Sequence, residues 1–386
     1  MTALIVLSSV GVAVSLGYYA AATVAALQFA RRAAEPAPPL PKVAPKVAVL
    51  KPLHGVHERL AANLVSILEA PYPRAEYYFG VSGYDDPAAE VPAALRPRYQ
   101  FANMTMMVGE HPGCANRKVA KLIDMQARAD KADIFVLSDA DVSVEHDYLR
   151  RVIGELVADD DVGIVTCAYR ARPLSTLASR LEALYVNTDF APQVFLAAAI
   201  EPMHYALGAT IAIKRTALDA IGGFRAIKDV LADDYYLGKL VSERGDGIKL
   251  SSEIVTLSCE EQHFSDFWDH QLRWARTYRT VRPESVATIF THGLFWALLL
   301  VAATRGSTAA MAVVAVVIAA RLSMSAAIIS RVLKLPELIS DVWLVPIKDL
   351  AMTGIWFASL MSNQVTWAGR RFEVMRGGVM RELKDS

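Results

Sequence analysis

The first thirty residues of the chain carry no charged side chain, and this feature most constrains where the protein can fold. A helix needs about 20 apolar residues to cross a bilayer, so residues 1–30 are long enough. A signal peptide has a basic segment before a short apolar core, which this run does not have. We therefore predict a retained transmembrane anchor. Arg31 and Arg32, directly after it, favour a cytoplasmic location for the segment that follows.

A second apolar region begins near residue 285. Residues 285–304 contain no Asp, Glu, Lys or Arg, and residues 306–330 contain only Arg321, so we interpret them as a helical hairpin in the membrane. Residues 342–367 form a third segment, which either spans the membrane or lies at its interface. Residues 190–200 are apolar but too short to span, and suit a membrane-facing helix or the wall of a lipid groove.

The composition agrees with a membrane protein and excludes several classes. Hydrophobic residues make up 54% and charged residues 21%, against about 45–50% and 25% in typical soluble domains. The 40 basic and 40 acidic residues balance, so we predict no nucleic-acid partner, because such proteins usually carry a basic excess. The three cysteines are far apart and form no CxxC pair, which argues against a disulfide scaffold or a zinc site.

Between the two apolar regions, short apolar runs alternate with helical stretches. This pattern predicts an α/β fold with a largely parallel sheet wrapped by helices. Ligands bind such sheets beyond the carboxyl ends of the strands, so polar residues that follow a strand are the first candidates for a site. The predicted divisions are a transmembrane anchor (1–30), a Pro-rich linker (31–46), the α/β domain (47–282), a C-terminal membrane region with two spans and a third spanning or interfacial helix (285–367), and a basic tail (368–386).

The most informative stretch joins an apolar strand, residues 134–137, to Asp139 and Asp141. Strand alternation places both carboxylates on the same side. Such a pair can hold Mg²⁺ or Mn²⁺, whose remaining positions take diphosphate oxygens, and the metal neutralises charge on a departing diphosphate. The alternative is a solvated turn with ordinary acidic residues.

Two further acidic elements follow predicted strands or open helices. Asp85 and Asp86 end a strand, where a carboxylate can accept from a uracil N–H or a ribose hydroxyl, although Asp-Pro turns are common. Asp233 and Asp234 open a helix, a position that favours Asp through capping and the helix dipole. The functional interpretation makes Asp234 a general base toward an acceptor hydroxyl, with Asp233 as the helix cap.

Two basic elements complete the edge of the predicted sheet. Lys51, Pro52 and Gly55 follow the first strand, where backbone groups can approach a base or ribose. Lys118 opens a helix and is a candidate contact to phosphate or sugar.

The last candidate element, Gln271, Arg273 and Trp274, precedes the second apolar region. Arg273 can stabilise diphosphate charge and Trp274 can wall a sugar or lipid groove. The alternative is a juxtamembrane aromatic and basic belt, to which we assign three arginines that follow: Arg276, Arg279 and Arg282.

Taken in order, these elements resemble the ceramide glucosyltransferase family (glycosyltransferase family 21), of the inverting family 2 type. That family has an N-terminal anchor, a KPL-x-G strand end, three separated aspartates, a (Q/R)-x-x-R-W element and C-terminal membrane helices. The matching residues are Lys51, Pro52, Gly55, Asp86, Asp139, Asp234, Gln271, Arg273 and Trp274. Within the family, the stretch around Lys118 is most similar to the bacterial hopanoid-type branch.

The resemblance implies a GT-A nucleotide-diphospho-sugar transferase domain, on the cytoplasmic side of a bacterial inner membrane and held there by several spans. The implied reaction moves a hexose from a UDP-sugar to a lipid hydroxyl, with ceramide or a hopanoid polyol such as bacteriohopanetetrol as acceptor. The implied roles are donor binding (Lys51, Pro52, Gly55, Asp86, Lys118 and Asp139), binding of Mg²⁺ or Mn²⁺ (Asp139 and Asp141), proton abstraction (Asp234), and closure over diphosphate and acceptor (Gln271, Arg273 and Trp274).

Two other functions stay open at this point. A processive polysaccharide synthase shares the chemistry but usually has more spans. A non-catalytic membrane scaffold keeps the fold, although intact acidic residues at all three sites argue against it. Glucose, galactose and N-acetylglucosamine, and ceramide and hopanoid acceptors, are not distinguished by these motifs.

Overall fold

The computed structural model describes residues 1–367 and 369–383. Of the predicted basic tail (368–386), residues 368 and 384–386 lie outside the described residues. The described part contains thirteen α-helices: α1 Thr2–Ala33, α2 Leu60–Leu68, α3 Glu90–Leu95, α4 Arg117–Arg128, α5 Tyr148–Val157, α6 Leu177–Tyr185, α7 Ala191–Ile200, α8 Arg215–Ala220, α9 Asp233–Glu243, α10 Phe264–Val281, α11 Gly293–Ala303, α12 Thr308–Ala327 and α13 Val345–Ser359. It also contains eleven strands: β1 Val47–Pro52, β2 Ala75–Val81, β3 Asn103–Val108, β4 Ile134–Ser138, β5 Val142–Ser143, β6 Val162–Pro173, β7 Thr210–Lys214, β8 Gly247–Cys259, β9 Gln364–Trp367, β10 Arg370–Val374 and β11 Met380–Glu382.

An eight-stranded sheet forms the centre of the soluble domain, in the order β3-β2-β1-β4-β7-β6-β8-β5. The first four strands in this order are parallel, whereas β7 runs antiparallel to both neighbours, so the sheet is mixed rather than largely parallel. Alternate residues of β1 enter two different hydrophobic clusters: Val47 and Val49 pack with α2, and Ala48 and Leu50 with α4. Helices therefore cover both faces, which explains why the central strands read as continuous apolar runs.

The N-terminal helix α1 is part of the packed structure of the membrane region. The 3₁₀ segment Pro283–Thr291 meets α11 at an angle of 65° instead of forming one straight helix with it. A bend of this kind leaves backbone groups without helical partners. Ser15 donates to the carbonyl of Phe290 at 2.7 Å, and the Tyr19 hydroxyl accepts from the N–H of Gly293 at 3.2 Å, so α1 stabilises the bend.

Among the described residues, α1 and the helix Thr308–Val332 are long and apolar enough to cross a membrane, and the bent pair is a third candidate. Helix α13 has 15 residues, or about 22 Å at 1.5 Å per residue, which is short of the roughly 30 Å hydrocarbon core. It also carries the buried side chains of Lys348 and Asp349. Helix α13 therefore fits the interfacial alternative better than the spanning one.

Four charged side chains meet in the interior between α12, α13 and the π-helical turn Val186–Phe190, and we call them the buried charge cluster. Arg321 donates to both oxygens of Asp349, at 3.0 and 3.1 Å, and to Asp189 Oδ1 at 2.9 Å. Lys348 pairs with Asp189 and Asp349. Two positive and two negative charges compensate one another, as buried ions require. The cluster joins the membrane region to the soluble domain.

The C-terminal strands β9, β10 and β11 form a small antiparallel sheet where the sequence analysis predicted a basic tail from residue 368. The sheet packs on the loop before α9: the N–H of Leu231 donates to Gly378 O at 3.0 Å, and that of Met380 to Asp229 O at 2.9 Å. The tail interpretation is wrong over the described residues. Basic side chains dominate the sequence of β10 and β11, but Phe372, Val374 and Met380 point to the other side and pack into a small hydrophobic core.

The basic belt assigned to the end of α10 is also wrong in part. Arg276 donates to the carbonyl of Gln364 at 2.6 Å, and Arg279 to that of Ser362 at 3.0 Å. These arginines bind the chain that enters the C-terminal sheet rather than forming an exposed row.

We predict that Arg321→Met strongly lowers the thermal unfolding temperature of the detergent-solubilised protein. The substitution leaves Asp189 and Asp349 buried with one cation too few, and breaking a buried ion pair costs about 3–5 kcal/mol. Arg331→Met, which changes an exposed arginine at the end of the same helix, is the matched control and should have little effect. Equal losses in the two variants would contradict a stabilising role for the cluster.

Candidate active site

One cavity of about 730 Å³ lies between the carboxyl edge of the sheet and the membrane region. Its lining has two parts. The first part is charged and comes from the sheet edge and from the starts of α4 and α9: Lys118, Asp139, Asp141, Asp233 and Asp234. The second part is mostly apolar and comes from α7 and α13: Val194, Ala197, Met352, Ile355, Trp356 and Leu360. Helix α10 contributes side chains to the same cavity, so charged and apolar surfaces face one space.

Lys118 holds the charged part together. The side chain of Asn116 caps α4 and so sets the position of Lys118 in the first turn. The Lys118 ammonium lies 2.7 Å from Asp139 Oδ1 and 3.2 Å from Asp233 Oδ2, and thereby connects the loop after β4 to the start of α9. Four carboxylates share the neighbourhood of this cation, so the charged part has an excess of negative charge.

This excess appears in the acidities of the carboxyl groups. Burial, together with the charges of Asp141 and Asp233, outweighs the attraction of Lys118 and raises the pKa of Asp139 to about 7. Burial and the neighbouring Asp233 raise the pKa of Asp234 to about 6. Burial alone would lower the pKa of Lys118, but the surrounding carboxylates raise it above its ordinary value. A further positive charge at this place would therefore be stabilising.

The residues present fit a divalent cation. Asp141 Oδ1 is buried and has no hydrogen-bond partner among the described residues, a costly state for a carboxylate oxygen. Carboxylate oxygens are the ligands that Mg²⁺ and Mn²⁺ prefer, and Asp139 lines the same cavity as Asp141. Asp139 and Asp141 are thus the residues that would hold such an ion.

The two aspartates of α9 have different surroundings. The helix N-cap is Ala232, so the expectation that Asp233 caps the helix is wrong, and its carboxylate instead pairs with Lys118. Asp234 faces the cavity next to Gly208, where a Cβ would lie 2.9 Å from Asp234 Oδ2. Glycine at that position therefore leaves room for the Asp234 carboxylate.

Lys51 and Pro52 lie in the interior rather than in the cavity lining. The Lys51 ammonium donates to Ser138 Oγ at 3.1 Å, to Asp139 O at 2.6 Å and to Val142 O at 3.2 Å. An ammonium has three N–H donors, so none remains for a nucleotide, and burial lowers its pKa to about 8. Lys51 therefore supports the loop that carries Asp139 instead of contacting the sugar nucleotide as predicted. Pro52 is the buried last residue of β1 and does not line the cavity either.

Gly55 and Asp86 meet each other at the ends of β1 and β2, outside the cavity lining. Asp86 accepts from the backbone N–H groups of Gly55 and Ala88, both at 3.0 Å, and lies 3.2 Å from His54 Nδ1. Burial tends to raise the pKa of Asp86, but these hydrogen bonds outweigh it and keep the pKa below its ordinary value. The pair joins two loops of the sheet edge, and its contact with a nucleoside remains a prediction.

Gln271 is the second predicted residue that the structure removes from the site. It is buried, and its amide donates to Glu182 Oε1 at 2.8 Å. Only one residue separates Gln271 from Arg273, whereas the (Q/R)-x-x-R-W element has two, so His270 stands at the corresponding position. His270 lines the cavity, and Glu182 and Glu261 outweigh its burial and raise its pKa to about 9.

Arg273 and Trp274 line the cavity as predicted. The Arg273 guanidinium forms no side-chain ion pair with any described residue, and burial lowers its pKa. The Trp274 ring packs 4.9 Å from that of His270 and 6.1 Å from that of Tyr185, centroid to centroid. These side chains form a cationic and aromatic section of the cavity wall.

Three polar residues in the apolar part of the lining were not predicted from the sequence: Asp189, Gln193 and His292. None belongs to a motif. The single charge of Arg321 inside an apolar run was the available signal, because an ion in a membrane segment needs a buried partner.

We predict that Mn²⁺ raises the unfolding temperature of the protein more at about pH 8 than at about pH 5.5. The carboxyl group of Asp139, with its pKa raised to about 7, is protonated at the lower pH, and the metal must displace that proton. Above that pKa the uncompensated carboxylates destabilise the folded chain, and a bound cation relieves them; ligand stabilisation then grows with affinity. Asp141→Asn should remove most of the shift, and Asp147→Asn, at an exposed site, should retain it. Equal shifts at the two pH values would contradict metal binding by these carboxylates.

Comparisons with known proteins agree with the geometry. Residues 7–380 match the profile of glycosyl transferase family 21. Ceramide glucosyltransferases 3 and 1 from Caenorhabditis elegans are each 23% identical, over 66% and 68% of this chain and 56% of their own length, so the chain spans just over half the length of these relatives. A mannosyltransferase from Pyrobaculum calidifontis in complex with GDP-Man and Mn²⁺ has a similar fold, with a TM-score of 0.52, 19% identity, and coverage of 92% of this chain and 99% of that one. The chain therefore belongs to glycosyl transferase family 21, and its α/β domain has the GT-A fold.

Proposed function

We propose that the protein transfers a hexose from a UDP-sugar to a hydroxyl group of a membrane lipid, with inversion at the anomeric carbon. The observation that carries this proposal is the two-part lining of one cavity. The charged part suits a metal-bound sugar diphosphate, and the apolar part, next to helices that can cross a membrane, suits a lipid tail. Family membership and the names of the relatives support the same reaction class.

The donor would bind at the charged part. Asp139 and Asp141 would hold Mg²⁺ or Mn²⁺, which when bound neutralises charge on the leaving diphosphate. The guanidinium of Arg273, which forms no ion pair within the described part of the chain, supplies a second positive group, and a guanidinium can bind two phosphate oxygens at once. Lys118 keeps Asp139 oriented and adds its own charge. Gly55 and Asp86 are proposed to contact the nucleoside from the neighbouring loops.

Asp234 is proposed as the general base. An alcohol is a poor nucleophile until its proton is removed, and a positioned base contributes about 10²–10⁴-fold in rate. With its pKa raised to about 6, Asp234 is mostly ionised at neutral pH yet basic enough to accept a proton. As the acceptor oxygen bonds to the anomeric carbon, the proton passes to Asp234 and the bond to UDP breaks, which yields a β-linked product from an α-linked donor.

The acceptor is proposed to be ceramide or a hopanoid polyol, with its hydrocarbon part against α7 and α13. Trp274 would separate this part from the sugar. The soluble domain is proposed to face the cytoplasm of a bacterial cell at its inner membrane, because Arg31 and Arg32 lie in the last turn of α1 and cytoplasmic flanks are basic.

We predict that excess chelator abolishes sugar transfer by the purified protein and that added Mn²⁺ or Mg²⁺ restores it. The reason is that the four aspartates of the charged part outnumber its two cations, Lys118 and Arg273, so without a metal the negative charge of the diphosphate is not neutralised. Release of UDP from labelled UDP-sugar in the presence of lipid extract is the measurement. Full activity in excess chelator would contradict the assigned role of Asp139 and Asp141.

We predict that Asp234→Asn lowers transfer by about 10²–10⁴-fold while the protein stays folded and still binds UDP-sugar. Asp233→Asn is the matched control, because it changes the adjacent carboxylate, which pairs with Lys118, and keeps a hydrogen-bonding side chain. It should retain clearly more activity. Near-normal transfer by Asp234→Asn together with loss in Asp233→Asn would move the base to Asp233.

A further inference from the structure

The apolar part of the cavity contains polar side chains that hydrocarbon tails do not need. Asp189, Gln193 and His292 line it among residues such as Val194 and Ile355. Polar groups in an apolar wall cost free energy unless they are hydrogen-bonded, and each of these three keeps hydrogen-bonding capacity beyond its contacts with described residues. They therefore indicate a ligand that brings polar atoms to this part of the cavity.

The first two of these groups lie on one helical face. Asp189 lies in the π-helical turn and Gln193 lies four residues later in α7, a spacing that places both side chains on the same side. The Asp189 carboxylate is oriented by Arg321 and Lys348, yet 21% of its side chain stays exposed. Gln193 lies near the hydroxyl of Tyr18 and has no other side-chain partner among the described residues, whereas an amide offers two N–H donors and two acceptor lone pairs.

The third group is an acceptor whose orientation follows from its neighbours. The Thr353 hydroxyl donates to the carbonyl of Asp349 at 2.9 Å, because a carbonyl can only accept. Its oxygen, 2.8 Å from His292 Nδ1, must then accept from an N–H at that nitrogen. In the neutral ring, Nε2 is left as an acceptor, and no described residue donates to it. The bend before α11 places His292 in the cavity wall.

We propose that Asp189, Gln193 and His292 bind the polar head of the lipid acceptor and require in it a hydrogen-bond donor other than the hydroxyl that receives the sugar. The carboxylate, the amide oxygen and Nε2 are all acceptors, so they match a second hydroxyl or an amide N–H. A lipid with one hydroxyl and no other donor cannot serve both Asp234 and these groups. This inference rests on the proposed function and narrows its substrate class.

The first test compares acceptors with the full-length protein in detergent and labelled UDP-sugar. Short-chain ceramide and bacteriohopanetetrol each carry a donor beyond one hydroxyl, whereas a short-chain diacylglycerol does not. We expect at least one of the first two to exceed diacylglycerol by about tenfold or more in kcat/KM, because a site built to hydrogen-bond rejects an analogue without the group.

The second test removes the acceptor groups one at a time. His292→Asn keeps an N–H that reaches Thr353 but lacks Nε2, and Gln193→Leu keeps the shape without the amide. Each should raise the KM for the preferred lipid by about tenfold, with kcat and the KM for UDP-sugar nearly unchanged. His292→Gln, whose amide reaches the place of Nε2, should restore part of the loss. Ser330→Ala is the control, because that hydroxyl lies outside the lining and is bound to Ala326 O.

The outcomes separate the two proposals. If diacylglycerol serves as well as the other lipids, or if both variants keep the wild-type KM for lipid while unfolding at the wild-type temperature, the inference is overturned and the proposed function stands. If the wild-type protein binds UDP-sugar but transfers sugar to no lipid, the proposed function fails first. A fall in kcat without a change in KM for lipid would assign these residues to the structure of the site and also overturn the inference.

Discussion

The buried charge cluster is the interaction on which the arrangement of the whole molecule depends. Arg321 of α12 and Lys348 of α13 meet Asp189 of the soluble domain and Asp349 of α13 in a balanced group of four charges. An ion in an apolar interior is tolerated only with its counter-ions, so the membrane helices can pack on the domain in few ways. The same contacts hold the π-helical turn beside the cavity, where Asp189 and Phe190 contribute to the lining.

A second cation, Lys118, plays the corresponding role at the sheet edge. By pairing with Asp139 and Asp233 it brings together the loop after β4 and the start of α9, two segments almost a hundred residues apart in the chain. Its single charge does not compensate all the surrounding carboxylates, which is why the pKa values of Asp139 and Asp234 lie above the ordinary range. Charged and apolar surfaces thus share one cavity, and Arg273 and Trp274 belong to the lining of both.

Several parts of the fold followed from local patterns, and others did not. The strands at the centre of the sheet are buried on both faces and read as apolar runs, so β1 and β4 were predictable. Strand β8 is only partly buried and mixes polar and apolar residues. It therefore shows no clear strand pattern in the sequence and was not predicted. The bend before α11 could not be predicted from a continuous apolar run, since the hydrogen bonds that stabilise it come from Ser15 and Tyr19 of a helix distant in sequence.

The α/β architecture flanked by apolar helices, the family, and the aspartates and Arg273 that face the cavity were all predictable from the order of residues in the chain. These depend on residue type and on positions next to strand and helix ends, which local patterns record. The folded structure was needed to show that Lys51 and Gln271 are buried and bonded internally, and that His270, Asp189 and His292 line the cavity. Those outcomes depend on which side chains find partners across the fold, because a lysine with three buried acceptors and a lysine free to bind a phosphate look the same in a sequence.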